Sequence, residues 1–197
     1  MKKTLTTVGL LLLYFVIAFA SMFLGFLSPV TWVYYPVVAA FFSATPVLIV
    51  CKNWKKPGAI AIFTAVWVIL LGAMGEISKP EVWVGYLVTV IAAEVARYFI
   101  GYEKQIASRV GYAINCLGIA GSLLPIWTRT SFYYDGAIEE MGSVEYADGL
   151  MKFANPVGLI SLIVLTLAAA YLGCIVSEKL FTKKTVSESD GYKVKTA

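Results

Sequence analysis

The 197-residue chain contains no histidine. That absence removes Ser-His-Asp and Cys-His nucleophile pairs and the usual zinc ligand sets, each of which relies on an imidazole near neutral pH. There is no GxxxxGK[ST] phosphate loop, so energy from ATP would have to come from another subunit. Cysteine is sparse. Cys51, Cys116 and Cys174 are odd in number, widely spaced and set in apolar runs, which suggests buried packing residues rather than a disulfide framework or metal site. Charge is scarce as well, at 14% of residues, against 59% hydrophobic residues and a mean hydropathy of +0.79. That balance excludes an ordinary soluble domain and implies an integral membrane protein. The net charge of +4 does not point to nucleic acid, because the basic residues cluster at the ends of apolar runs.

Residues 4–51 carry no charge. As one rod they would reach roughly 70 Å, more than twice the ~30 Å hydrocarbon core, so the run must fold back. Ser28-Pro29 is the expected break, since proline lacks an amide hydrogen and restricts its predecessor. Lys2-Lys3, the apolar run and Ala18-Phe19-Ala20 imitate a secretory leader, but the run continues to Leu27, which favours an uncleaved span. The remaining apolar runs give spans near 5–27, 32–51, 59–75, 82–100, 110–127 and 157–181. The expected fold is therefore an all-α membrane domain of six helices over 1–181, with a polar and unstructured cytoplasmic tail over 182–197.

One segment, about 128–155, is polar between two strongly apolar runs. It holds Asp135, Glu139, Glu140, Glu145 and Asp148, whereas the short breaks at 52–56 and 103–109 are basic. With this loop outside and both termini in the cytoplasm, thirteen of the sixteen basic residues fall on the inner face, leaving Lys79, Arg129 and Lys152 outside. Within the loop Val144, Ala147, Leu150, Met151 and Ala154 recur at helical spacing, predicting a short amphipathic helix from Ser143 that ends before Asn155-Pro156.

The substrate-binding candidates are the outer aromatics Trp32, Tyr35, Trp83, Tyr86, Trp127, Tyr133 and Tyr134, with Arg129 as partner for an anionic group and Asn115 as a polar contact in the fifth span. Rings at interface depth also serve merely as anchors, and Asn115 also suits a helix-to-helix bridge. Glu94 and Arg97 stand one turn apart in an apolar span, as an ion pair or a proton relay. Ala169, Gly173 and Ser177 form a small-residue stripe for docking a partner helix or a neighbour in the bundle.

The phrases Ala92-Ala-Glu-Val-Ala-Arg97, Gly111-Tyr112, Leu117-Gly-Ile-Ala-Gly-Ser-Leu-Leu-Pro-Ile-Trp127, Met141-Gly-Ser-Val-Glu-Tyr-Ala147 and Leu172-Gly173 before a lysine-rich end occur in order over nearly the whole chain. In this the chain resembles the Trep_Strep family, regarded as substrate-specific S components of energy-coupling-factor (ECF) transporters. The resemblance implies a multi-pass cell-membrane protein, not itself an enzyme and without a cofactor or bound metal. Such a protein captures a vitamin-like nutrient outside, associates with a transmembrane coupling subunit and two cytoplasmic ATPases, and topples to release its cargo. Two features depart from that pattern. Span one offers Ala18, Ser21 and Gly25 where many S components have Ala-x-x-x-Ala, and the C-terminal phrase from Glu178 to Lys184 has no histidine. Other readings are a porphyrin-like planar cargo, a histidine-free intramembrane enzyme using Glu94 or Glu76, and a membrane adaptor.

Overall fold

The computed structural model describes the backbone of residues 2–73 and 80–194, and the side chains of 4–69, 71–73, 80 and 82–180. Glu76, Lys79 and Lys195 lie outside the described residues. Among those described there is no strand. The described residues form ten helices in succession: α1 (Lys2–Gly25), α2 (Pro29–Phe42), α3 (Ala44–Trp54), α4 (Ala61–Ala73), α5 (Pro80–Ile100), α6 (Gln105–Gly121), α7 (Pro125–Thr128), α8 (Thr130–Met141), α9 (Val144–Met151) and α10 (Pro156–Val194).

Among the described residues three stretches are long and apolar enough to cross a membrane: Thr4–Gly25, Val82–Ile100 and Pro156–Leu180. The pair α2 and α3, bent by 40°, makes a fourth when taken as one broken span. The outward faces of these helices are apolar, with Leu12, Val16, Leu87, Ile91, Phe99, Ile160 and Val164 exposed. In water such a surface would drive aggregation, whereas hydrocarbon is its natural solvent.

The break expected at Ser28-Pro29 is present. Ser28 is extended and its hydroxyl accepts from the Thr31 amide at 3.2 Å, while Pro29 takes the first helical position, where no amide hydrogen is needed. The bend after Phe42 was not expected from the run over 32–51. Its cause is Pro46, which has no amide hydrogen to return to the carbonyl of Phe42 and whose ring would crowd that carbonyl in a continuous helix. The Tyr112 hydroxyl of α6 donates to the Ala40 carbonyl at 2.6 Å just before the bend.

α10 seats itself against this bend. A Cβ on Gly173 would stand 2.4 Å from the Phe41 carbonyl oxygen, and Ser177 shares a 2.7 Å hydrogen bond with Thr45. The stripe Ala169, Gly173, Ser177 is thus used inside the chain rather than offered to a partner, because its small side chains are what let α10 approach the α2 to α3 backbone. α10 also continues to Val194, so helical backbone runs through most of the segment expected to be unstructured. α6 approaches α5 in the same way, with Gly111 under the Arg97 stem and Gly118 under Tyr86 and Thr89.

The interior falls into two clusters. One, around Tyr14, Phe63, Tyr112 and the buried free cysteines Cys51, Cys116 and Cys174, lies toward the end where Lys55 pairs with Glu103 at 2.7 Å and Arg109 pairs with Glu178. The other, around Met22, Tyr35, Trp67, Tyr86 and Leu123, lies under α8 and α9 at the opposite end.

Candidate functional site

α9 forms where helical spacing predicts it. Ser143 caps it by accepting from the Tyr146 amide at 3.1 Å, and Asn155 caps α10 by accepting from the Gly158 amide at 3.0 Å. α8 is an additional helix in the same loop, closed by Gly142 in the left-handed conformation, φ 63°. Together α8 and α9 roof one end of the bundle.

Several contacts clamp this roof to the turn between α1 and α2. The Trp32 indole of α2 donates to the Tyr133 hydroxyl of α8 at 2.5 Å. Tyr146 of α9 donates to the Gly25 carbonyl at 2.8 Å. Gly149 lies so close to Pro29 that a Cβ there would meet the proline ring at 2.6 Å. On the far side, the Trp127 indole is shared between the carbonyls of Phe153 and Asn155, each at 3.0 Å, tying α7 to the start of α10.

Beneath the roof is a cavity of about 640 Å³. Its deep wall is apolar, from Met22, Tyr35, Leu71 and Leu123, with Ser122 holding Tyr35 by a 2.7 Å hydroxyl contact. Ser122 donates to the Ile119 carbonyl, so the Tyr35 hydroxyl is the donor between them. Phe26 and Trp32 form one side, and Tyr146 and Leu150 of α9 another. α8 turns Phe132, Asp135, Gly136, Glu139 and Glu140 toward the space, the i, i+3, i+4, i+7, i+8 face of a helix. The arrangement is an aromatic, mostly apolar concavity with carboxylates along one edge, the usual make-up of a small-molecule site.

Of the candidates from sequence, Trp32, Tyr35 and Tyr133 meet at this cavity. The others do not line it. Tyr134 points its hydroxyl to Asp148 at 3.0 Å and ties α8 to α9 on the outer surface. Arg129 precedes α8 with its guanidinium 4.6 Å from the Phe132 ring centre, beside the cavity rather than in its lining. Trp127 is occupied by the two carbonyls, Tyr86 is buried against Gly118 of α6, and Trp83 is half-buried on α5. Asn115 accepts from the Thr64 hydroxyl at 2.7 Å in the interior, which is the helix-to-helix bridge rather than a ligand contact. Among the described residues no group of three or more Asp, Glu or Cys side chains could hold a metal ion.

Sequence reasoning missed Met22, Phe26, Leu71, Ser122, Asp135, Glu139, Glu140 and Tyr146. Only the α8 set carried a signal, the helical spacing of Phe132, Asp135, Gly136, Glu139 and Glu140, and that spacing has meaning only once α8 is known to be a helix.

Burial pushes the Tyr146 phenol from an ordinary value of 10.0 up to about 12. A group whose pKa is raised on folding contributes stability that is complete below its unfolded value and disappears as pH climbs through the folded one. The Tyr146 clamp is therefore expected to hold to about pH 10 and to fail toward 12. Tyr146→Phe should cost about 1 kcal/mol, speed hydrogen exchange in α9, and remove one late-titrating tyrosine from the alkaline absorbance curve. Unchanged exchange in α9 would refute the clamp.

A family model for a hypothetical bacterial integral membrane protein (Trep_Strep) matches residues 1–184. No curated protein and no solved structure matches the chain. The matched region includes every helix that forms the roof and the cavity, and with it the chain belongs to the Trep_Strep family of bacterial integral membrane proteins.

Proposed function

We propose that this chain is the membrane-embedded capture component of an ATP-driven importer of the ECF type. It takes a scarce small molecule from outside and passes it to a coupling subunit driven by two ATPases. The observation that carries the reading is the roofed aromatic cavity of about 640 Å³ at one end of an apolar helical bundle, in a chain with no nucleotide-binding loop. Six spans fit this reading: α1, the bent pair α2 with α3, α4, α5, α6 with α7, and α10. Both termini would be cytoplasmic in the cell membrane, with the acidic roof outside and the end bearing Lys55, Lys104 and Arg109 inside.

Co-expression with a coupling subunit and its two ATPases should yield a complex that survives purification, and the chain alone should retain a small molecule from growth medium without ATP. Orientation is tested by Tyr134→Cys on intact cells with a membrane-impermeant maleimide, since the native cysteines are buried. Absence of both complex and ligand, or labelling of position 134 only after lysis, would refute the proposal.

A further inference from the structure

The charge of the cavity differs from what the aromatic mouth alone suggests. Asp135, Glu139 and Glu140 line it from α8, and among the described residues no lysine or arginine does. None of the three forms an ion pair among the described residues. Facing them are the rings of Trp32, Tyr35 and Phe26. The Trp32 indole hydrogen is already given to Tyr133, so what this residue offers a ligand is the face of its ring.

We infer that the cavity selects an organic cation, an ammonium or similar centre carried on an apolar or aromatic body. This rests on the capture reading and names its cargo class. The π faces of Trp and Tyr attract a cation, and unpaired carboxylates near an apolar wall do so over longer range. An anion would meet three like charges, and so would a porphyrin through its own carboxylates. A bare metal ion is disfavoured by the lack of a converging donor set among the described residues. The volume suits a small organic molecule, within the roughly 300–1,000 Å³ of such sites.

The test is calorimetric titration of the purified full chain in detergent with benzyltrimethylammonium, benzyl alcohol and benzenesulfonate, which share a ring and differ in charge, and with calcium chloride alone. The cation is expected to bind, the alcohol more weakly and the sulfonate not at all, and added salt should weaken the cation. Glu139→Gln with Glu140→Gln should weaken the cation about tenfold or more. Both side chains are exposed, so the circular dichroism and melting of the double variant should match the parent. Sulfonate binding as tight as the cation, a response to calcium only, or equal cation affinity in the variant would overturn the inference. If no probe binds while the complex with the coupling subunit forms, the cation class is refuted and the capture reading stands. If the cation binds but no complex forms, the inference stands and the importer reading is refuted.

Discussion

Glu94→Ala is expected to destabilise the protein by about 3–5 kcal/mol, the usual penalty for leaving a buried charge without its partner. Arg97 is 0% exposed in the interior of the bundle. Its Nη1 donates to both Glu94 oxygens, at 3.1 and 3.0 Å, and its guanidinium lies 5.0 Å from the Tyr102 ring centre. The Nε and Nη2 hydrogens have no hydrogen-bond partner among the described residues, so Glu94 supplies the main compensation for burying the charge. Glu94 also accepts the Ile60 amide at 3.1 Å, which fastens the start of α4 to α5. Glu94→Gln keeps an acceptor for Ile60 but removes the negative charge, and should show most of the loss. Glu94→Leu with Arg97→Met removes both charges and should recover much of it. Thermal melting of the four proteins in one detergent is the measurement. A Glu94→Ala protein within about 1 kcal/mol of the parent would mean that water or lipid headgroups already satisfy Arg97.

Gly173→Ala should be the next most damaging change, although it adds one methyl group to a helix. The new carbon would stand 2.4 Å from the Phe41 carbonyl oxygen and 3.1 Å from the Ala44 Cβ. The first obstacle is backbone and has no rotamer by which to yield. α10 must then withdraw from the α2 to α3 bend, stretching the contact between Ser177 and Thr45. Overpacking of this kind costs about 1–3 kcal/mol, and a larger side chain should cost more. Gly9→Ala in α1 is the control, because nothing lies within 4 Å of a Cβ there. It should be neutral or gain about 0.5–1 kcal/mol from helix propensity. Equal melting shifts for the two variants would show that α10 is not seated on the bend.

These sites show which parts of the molecule were legible in the sequence. The apolar helices, the Ser28-Pro29 turn, the α9 cap at Ser143 and the start of α10 at Asn155-Pro156 were all readable, because run length, caps and proline are local signals. α8 escaped notice for a physical reason. The face it turns to the cavity mixes Phe132 with Asp135, Glu139 and Glu140, so hydrophobic periodicity has nothing to detect, and Asp135-Gly136 reads as a turn. Partnerships at long range are equally silent in one dimension. Trp32 and Tyr133 stand 101 residues apart and Thr45 and Ser177 stand 132 apart. Arg129 drew attention as a cation among aromatics, but only the folded chain reveals that it lies over Phe132 while the carboxylates face the cavity.

Trp32 is at once a wall of the cavity and a hydrogen-bond donor to its roof, with Phe26 and Tyr35 centred 5.5 and 6.1 Å away. Any occupant wedged among these rings changes the polarity around a native fluorophore and the strain on its bond to Tyr133. The molecule thus carries its own optical gauge of occupancy, one that dims or shifts colour as the chamber fills and needs no attached dye.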